Sequence, residues 1–390
     1  MIFCFHWNVK SFLDRKQLKG GAEMRVALLG FGTVGSAFYQ LSSSHPATVI
    51  RQILDNREIT GIHCRWTKDF RPVLDDPDVD TIVELIGGIS PAYDYVIAAM
   101  KAGKNVVTAN KALMSAYYDE LVTLAEEKRV SLRCTAAAGG GIPWLHCLSR
   151  ISDCDKVFAV SGIMNGTTNY ILSAMTENET EYGECLLEAQ RLGYAEADPT
   201  ADVEGYDARR KLVLSANIAF GISLREAEIP CFGISGITGQ DVAEFRGKGM
   251  VCKLIAHAEN INEGVFACVE PMLYSERSQV ARTNGADNLI SLNAQHVGRQ
   301  CFIGAGAGGP ATASNVLADC IEIENGCPSF YTGRRFPAHV SNDRKQRYYV
   351  REGSRCRISE MEVRQAHLLA QKYKKERQPF FMAAFSEGEK

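Results

Sequence analysis

The feature that most constrains the fold is a glycine-rich turn between a strand and a helix. An apolar run from Arg25 to Leu29 leads directly into GFGTVG (Gly30 to Gly35) and then into SAFYQL, which has helical character. In such a turn the first glycine permits a tight bend, the second lets a ligand approach the backbone, and the third allows close helix packing. The pattern predicts a dinucleotide site with the pyrophosphate at the helix N terminus; an ordinary glycine turn is the alternative.

Further strand and helix pairs follow this turn. They are DTIVELIGG with PAYDYVIAAMKAG, and KNVVTANK with ALMSAYYDELVTLAEEKR. Alternation at these lengths is typical of a parallel, doubly wound sheet. We therefore predict an α/β protein whose Rossmann-type domain spans residues 24–150, completed by a helix at 311–324, with a second α+β domain of mixed sheet at 151–310 for substrate and dimerisation.

Two charged residues follow the second strand, VIRQIL. Asp55 lies 25 positions after Gly30, where an acidic side chain would bind the ribose hydroxyls of NAD, and Arg57 would instead suit the 2′-phosphate of NADP. The preference between NAD and NADP therefore stays open. Other positions at strand ends or glycine turns complete the predicted cofactor contacts, which are Gly30, Phe31, Gly32, Thr33, Val34, Gly35, Asp55, Arg57, Asn110, Lys111 and Gly306.

The stretch YAEADPTADVEGYDARRK, from Tyr194 to Lys211, concentrates ionisable groups. Asp202 is placed to cap a helix that we predict from about Val203. Within that helix Asp207 and Lys211 are four residues apart, so they share a face and the carboxylate can hold the ammonium. A solvated surface ion pair is the alternative.

A turn of Asn165, Gly166, Thr167 and Thr168 lies between a strand and a helix in the second domain. Its backbone amides and hydroxyls would suit the carboxylate of a small molecule, whereas a plain helix N-cap is the alternative. We predict that Asn165, Gly166 and Thr167 bind substrate.

Composition narrows the class of protein. The 390 residues carry a net charge of −3, which favours neither nucleic acid nor membrane as a partner. The 13 cysteines are scattered without a Cys-x-x-Cys pair, which is typical of reduced thiols in a cytoplasmic protein, and no metal cluster is predicted. Residues 1–23 lack a secretory layout, so we expect a dispensable N-terminal extension before Met24.

The segment 325–390 differs in charge from the rest of the chain. From Gly326 onward there are 14 Lys and Arg against 7 Asp and Glu, a net charge of 14 − 7 = +7. Its predicted elements are a strand (QRYYVRE), a helix (SEMEVRQAHLLAQKYKKER) and a strand (PFFMAAF). We predict a basic tail, with at most a partial ACT-like βαβ unit, that forms a separate module.

Six motifs together resemble homoserine dehydrogenase over roughly residues 24–324. They are GFGTVG, VELIGG, VTANKAL, SGIMNGTTNYIL, GYAEADPTADVEGYDARRKLVLSANIAFG and GAGAGGPATASNVLAD. The resemblance implies reversible, NAD(P)-dependent interconversion of aspartate semialdehyde and homoserine, on the route to threonine, methionine and isoleucine. It also implies a homodimer or higher homo-oligomer built through the second domain.

The resemblance also implies roles for individual residues. Lys211 matches the proposed acid/base of the family, Asp207 its partner, and Lys111 a second lysine at the reacting centre. The positions that match amino-acid contacts are Gly166, Thr167, Tyr194, Glu196 and Asp202. From its charge, Glu196 suits the substrate's ammonium.

Two departures from the family pattern concern a cation and regulation. Many relatives have a glutamate before the turn that matches Ala136 to Pro143, associated with a structural monovalent cation, whereas Cys134 and Thr135 stand here. Without that glutamate, Na⁺ or K⁺ would have to be bound by backbone carbonyl groups, so the sequence does not decide whether a cation binds here. The tail is too short for a complete ACT domain, so feedback control by threonine is not implied.

Two other functions fit the same scaffold, because fold does not fix function. One is another NAD(P)-linked amino-acid or semialdehyde oxidoreductase, which the intact run from Glu196 to Lys211 disfavours. The other is a non-catalytic cofactor-sensing protein, which would be expected to have lost Lys111 or Lys211.

Overall fold

The computed structural model describes residues 23–45, 48–261, 264–327, 329 and 335–386. The predicted N-terminal extension lies outside this range except for Glu23. Within the described ranges, no helix combines the length and apolar character that a membrane crossing requires.

A parallel sheet forms the N-terminal domain. Its strand order is β3-β2-β1-β4-β5-β6, and every neighbouring pair runs parallel. The strands are β1 (Met24–Leu29), β2 (Thr48–Leu54), β3 (Arg65–Thr67), β4 (Thr81–Glu84), β5 (Asn105–Thr108) and β6 (Leu132–Arg133). The helices between them are α1 (Thr33–Ser43), α2 (Arg71–Leu74), α3 (Ala92–Lys101) and α4 (Lys111–Lys128). This confirms the predicted doubly wound sheet.

A second, mixed sheet follows, with strand order β12-β11-β7-β9-β10-β16-β14-β15. Its strands are β7 (Val157–Ile163), β9 (Met250–Ile261), β10 (Gly264–Ser275), β11 (Asp287–Ala294), β12 (Gly298–Ala305), β14 (Lys345–Glu352), β15 (Arg355–Glu362) and β16 (Phe380–Phe385), while β8 (Ile222–Ser223) pairs with β13 (Phe336–Pro337). The helices are α5 (Trp144–Ser152), α6 (Gly166–Asn178), α7 (Tyr182–Arg191), α8 (Thr200–Val203), α9 (Tyr206–Phe220), α10 (Gly239–Gly247), α11 (Gly309–Glu324) and α12 (Val363–Glu376). The predicted α+β class is confirmed.

Helix α11 packs on the parallel sheet although it follows the second domain in sequence. Alternate residues of β1 face opposite sides of that sheet, so Val26 and Leu28 share one core with Val316 and Cys320 of α11. Ala27 and Leu29 face the other core, with α3 and α4. The nucleotide domain is thus covered by helices on both faces.

The tail is not a separate module, which corrects the sequence prediction. Strand β16 pairs in parallel with β10 and antiparallel with β14, so the tail extends the second sheet. The unit is ββαβ rather than βαβ, because residues 355–362 form β15 and α12 begins only at Val363. The run SEME, which the sequence prediction places in the helix, forms the end of β15, where it pairs with the start of β14.

Candidate active site

The glycine turn has the shape that a dinucleotide requires. Gly30 has a φ of +94°, and a Cβ there would lie 2.7 Å from the carbonyl oxygen of Leu85. A Cβ at Gly35 would collide with the carbonyl oxygen of Gly30, so the helix packs directly on the turn. Gly32, by contrast, borders open space, and α1 begins at Thr33. The open backbone at a helix N terminus fits a pyrophosphate.

Asp55 is occupied by protein groups rather than left open for a ribose. Its carboxylate accepts hydrogen bonds from the Phe31 N–H at 2.7 Å, the Arg57 N–H at 2.9 Å and the Arg57 Nε at 3.1 Å. Burial alone would raise the pKa of Asp55, but the bonds from Arg57 and Phe31 hold it below its ordinary value. The Arg57 side chain is 69% exposed and also donates to the Phe31 carbonyl oxygen at 3.0 Å. The exposed guanidinium group of Arg57 therefore lies beside the glycine turn.

One carboxylate joins the two lysines singled out in the sequence. Lys211 Nζ lies 2.7 Å from Asp207 Oδ2, and Lys111 Nζ lies 3.0 Å from Asp207 Oδ1. Lys211 comes from α9, as the four-residue spacing predicts, whereas Lys111 opens α4 of the nucleotide domain. Asp207 thus sits where the two domains meet.

Burial makes this cluster different from a surface ion pair. Asp207 is 4% exposed and Lys211 is 7% exposed. Burial alone would raise the pKa of Asp207, but Lys211, Lys111 and Asn165 together hold it well below its usual range. The charge of Asp207 raises the pKa of Lys111, whose side chain is 40% exposed. Both groups therefore stay ionised at neutral pH.

A carbonyl oxygen that no sequence pattern indicated also orients Lys211. Its Nζ donates to the Met164 carbonyl oxygen at 2.7 Å. Met164 directly follows β7 and precedes Asn165, the N-cap of α6. A backbone group leaves no signature in the sequence, so only the fold could reveal it.

The side chain of Asn165 is used within the protein. Its Oδ1 accepts from the Thr168 N–H at 2.8 Å, which caps α6, and its Nδ2 donates to Asp202 at 2.7 Å and Asp207 at 2.9 Å. Asn165 is therefore the N-cap of α6, as the alternative interpretation expects, and it also holds both carboxylates in place by hydrogen bonds. The N–H groups of Gly166 and Thr167 lie in the first turn of α6, where a helix offers no internal acceptor.

The helix predicted to begin at about Val203 begins at Tyr206 instead. A short helix, α8, contains Asp202, and α9 begins only at Tyr206. Gly205 separates them with a φ of +82°, and a Cβ there would lie 2.9 Å from Cys231 Sγ. Asp202 therefore does not cap the long helix. Burial, followed by the charge of Asp207, raises its pKa.

The loop after α7 lies beside this cluster. The Tyr194 carbonyl oxygen accepts from Thr167 Oγ1 at 2.5 Å, and its ring packs on Tyr170 at 4.9 Å. Glu196 is exposed, and its backbone oxygen accepts from Gln190 at 3.0 Å. Its carboxylate projects from the loop that Thr167 anchors.

Gly306 is closely packed rather than open. A Cβ at Gly306 would collide with the Asn288 side chain, and one at Gly140 would lie 2.5 Å from Gly306. Three residues further on, Gly309 opens α11, where a Cβ would lie 2.8 Å from the Thr33 carbonyl oxygen. The N termini of α1 and α11 are therefore adjacent, and Gly306 packs against Asn288 and Gly140 just before α11 begins.

Hydrogen bonds within the protein already engage the polar groups of the turn 134–143. Asn315 Nδ2 donates to the carbonyl oxygens of Gly140 at 2.6 Å and Ile142 at 3.1 Å, which leaves each oxygen with a single lone pair for a cation. The nearby carboxylate of Asp319 accepts from Thr135 Oγ1 at 2.7 Å and pairs with Arg133. Within the described ranges, no cluster of three or more His, Cys, Asp or Glu could hold a metal ion.

Comparison with known proteins gives one consistent family. Sequence models described as "Homoserine dehydrogenase, NAD binding domain" and "Homoserine dehydrogenase" match residues 30–134 and 143–321. The homoserine dehydrogenase of Corynebacterium glutamicum is 41% identical over 319 residues, which are 77% of this chain and 72% of the relative.

Solved structures agree with this match. A homoserine dehydrogenase from Thiobacillus denitrificans superposes with a TM-score of 0.82 at 29% identity, covering 94% of this chain and 98% of that one. A hyperthermophilic archaeal homoserine dehydrogenase in complex with NADPH has a TM-score of 0.67 over 79% of this chain and 99% of that one. At 21% identity, the second match shows a shared fold alone.

Proposed function

The chain belongs to the homoserine dehydrogenase family, and we propose that it interconverts L-homoserine and L-aspartate semialdehyde with NAD(P) at the Asp207 cluster. The observation that carries the proposal is the pairing of one buried carboxylate with lysines from both domains. A dehydrogenase needs a cation and a proton donor at the reacting oxygen, and this cluster holds two ammonium groups. The reaction is a step in the biosynthesis of threonine, methionine and isoleucine.

The glycine turn from Gly30 to Gly35 would hold NAD(P), which would supply the hydride acceptor or donor for this reaction. In the reductive direction, Lys211 donates a proton to the developing alkoxide and regains one from solvent. In the oxidative direction, Lys211 first releases a proton to solvent and then takes up the hydroxyl proton. Lys111, kept cationic by Asp207, stabilises negative charge on the same oxygen. Asp207 holds both side chains and remains ionised throughout.

Recognition of the amino acid rests on groups around this centre. The exposed carboxylate of Glu196 pairs with the substrate's ammonium, while the N–H groups of Gly166 and Thr167 bind its carboxylate. Tyr194 and Asp202 shape the pocket through their contacts with Thr167 and Asn165. We expect Glu196→Gln to raise the KM for homoserine about tenfold or more, with Glu184→Gln on α7 as the control.

We propose that NADP is preferred over NAD. Two observations support this: the Asp55 carboxylate is already hydrogen-bonded by Phe31 and Arg57, and the exposed Arg57 guanidinium stands beside the glycine turn. An arginine fork suits a phosphate, whereas an occupied carboxylate is a poor ligand for ribose hydroxyls.

We also propose that the protein is a homodimer through the open face of the mixed sheet. On β9 and β10, Leu254, Ala256 and Val269 face the core, whereas their neighbours line a groove of about 520 Å³. That groove includes His257, Glu259 and Met272. Helix α12 covers the part of this face formed by β10, β16 and β14. The part that α12 leaves uncovered suits a second copy of the chain, because a two-fold dimer pairs the same patch of both copies. Light scattering should give twice 42.9 kDa, and Ser161→Arg in the groove should lower the mass to that of one chain.

The activity is tested by following cofactor absorbance with homoserine and with aspartate semialdehyde, using NAD and NADP. Turnover of homoserine is expected, and Lys211→Ala should abolish most of it while nucleotide affinity stays near wild type. A folded protein that turns over neither substrate would refute the proposal. Turnover of a different amino alcohol in its place would favour another oxidoreductase on this scaffold.

A further inference from the structure

A buried carboxylate outside the proposed catalytic set lies at the end of β4. Glu84 is 0% exposed, and its oxygens accept from Thr108 Oγ1 at 2.5 Å and from the N–H groups of Ile86 at 2.8 Å and Gly87 at 3.2 Å. Burial raises its pKa, against the effect of these hydrogen bonds. A buried carboxyl group lowers the stability of a protein unless its oxygens are hydrogen-bonded, as those of Glu84 are.

On one side, Glu84 shapes the loop that borders the cofactor turn. It binds the backbone of Ile86 and Gly87, and this loop packs directly on the glycine turn: a Cβ at Gly30 would lie 2.7 Å from the Leu85 oxygen and 2.9 Å from the Ile86 nitrogen. The loop is therefore part of the wall on which the nucleotide would rest.

On the other side, Glu84 reaches the segment that carries Lys111. Thr108 ends β5 and its Oγ1 also accepts from the Asn110 N–H at 3.0 Å. Asn110 Nδ2 donates to the Gly88 carbonyl oxygen at 2.5 Å, and its Oδ1 caps α4 by accepting from Leu113 at 3.1 Å. The next residue, Lys111, contacts Asp207. A continuous set of hydrogen bonds thus joins the cofactor loop to the catalytic carboxylate.

We propose that Glu84 is a positioning residue which, through Thr108, fixes Lys111 relative to the cofactor loop. The inference rests on the proposed function, because it concerns the alignment of the lysine with the nicotinamide. Hydride transfer tolerates little misplacement of the groups around the reacting atoms. Glu84 touches neither substrate nor the reacting atoms, so its effect passes through Thr108 and Asn110.

Thr108→Val is the sharpest variant, because valine has nearly the same shape and removes only the hydroxyl. The matched control is Thr81→Val in the neighbouring strand β4, where the buried hydroxyl has no hydrogen-bond partner among the described residues. Thr108→Val should lower kcat about tenfold, while the Kd for NADPH, measured by its fluorescence, stays within about twofold of wild type. Thr81→Val should match wild type in both measurements.

Three results would overturn the proposal. The first is a Thr108→Val enzyme with the kcat of the Thr81→Val control. The second is an undiminished effect of Thr108→Val in a Lys111→Ala background, because a residue that acts through Lys111 must lose its influence when Lys111 is absent. The third is a loss of NADPH affinity in Thr108→Val as large as that in Glu84→Ala, which would assign Thr108 to the cofactor loop rather than to the position of Lys111.

Glu84 itself gives a readout that does not depend on turnover. Glu84→Ala should raise the Kd for NADPH about tenfold or more by releasing Ile86 and Gly87, and Glu84→Gln should recover most of that loss because its amide can still accept from both. Unchanged NADPH affinity in a folded Glu84→Ala protein would refute the role in the cofactor loop. If wild type turned over neither substrate, the proposed function would fail, and the NADPH arms would still test Glu84.

Discussion

Lys111 and Lys211 contact different oxygens of a single buried carboxylate, at 3.0 Å and 2.7 Å. One lysine belongs to the nucleotide domain and the other to the substrate domain. Asp207 therefore links the two domains at this point, and Lys211, Lys111 and Asn165 together keep it charged in spite of its burial.

Asp207→Asn should lower kcat at least about a hundredfold, equivalent to ~2.7 kcal/mol of transition-state stabilisation. The amide keeps the size of the side chain but removes the negative charge that holds both lysines. The measurement is kcat with homoserine, together with the Kd for NADPH and the melting temperature. Glu244→Gln is the matched control, since Glu244 and Lys248 form the same four-residue pair on an exposed helix at 2.7 Å. Equal effects of the two substitutions would place Asp207 outside the chemistry.

Arg57→Ala should raise the KM for NADP about tenfold or more and leave that for NAD nearly unchanged. The reason is that only NADP carries the 2′-phosphate that the exposed guanidinium can bind. Steady-state kinetics with both nucleotides measure the change, with Arg71→Ala on α2 as the control because Arg71 forms an exposed pair with Asp75. A parallel loss for NAD would show that Arg57 acts by holding Asp55 and Phe31.

Lys253 predicts a pH dependence of stability. Its ammonium is fully buried, donates to Asn169 Oδ1 and the Thr283 carbonyl oxygen at 2.8 Å each, and burial lowers its pKa to about 8. Because this pKa is lower in the folded protein than in the unfolded chain, the unfolded chain binds more protons between about pH 8 and 10.4. The contribution of Lys253 to the free energy of unfolding therefore rises with pH across that window and is lost as pH falls through 8.

Urea unfolding at pH 7.5 and 9.5 measures this effect. The difference in unfolding free energy between wild type and Lys253→Met should shift by about 2 kcal/mol in favour of wild type at the higher pH. The exposed Lys248→Met is the control and should show no such shift. A constant difference between wild type and Lys253→Met would mean that Lys253 keeps an ordinary pKa.

Turnover should not depend on Na⁺ or K⁺. The carbonyl oxygens of Gly140 and Ile142 already accept from Asn315, and the carboxylate of Asp319 is engaged by Thr135 and Arg133. Activity in tetramethylammonium should equal that in KCl at the same ionic strength, which must be held constant because salt screens charges. A restoration of activity by K⁺ alone would show that Asn315 yields its acceptors to a cation.

The local patterns were sufficient for the parallel sheet and for the contact between Asp207 and Lys211, because glycine turns and helical spacing act over a few residues. The contact of Lys111 with Asp207 depends on how the two domains pack together, and local sequence patterns do not encode that packing. The sequence prediction starts α9 too early because Asp202 has the side chain of a typical N-cap residue. The chain bends at Gly205 instead, where it packs against Cys231, 26 positions later, and local patterns do not show that contact. The strand β15 was missed because its pairing with β14 is tertiary.

Helix α11 has a consequence for the order of folding. Val26 and Leu28 of the first strand are covered by Val316 and Cys320, which the ribosome adds only after strands β7 and β9 to β12 of the second sheet. The nucleotide domain therefore cannot bury its core as an early, independent unit during synthesis. One apolar face of its sheet stays exposed until α11 has been synthesised. The two halves of the enzyme are accordingly expected to unfold in one cooperative transition, so that calorimetry of the intact protein shows a single peak.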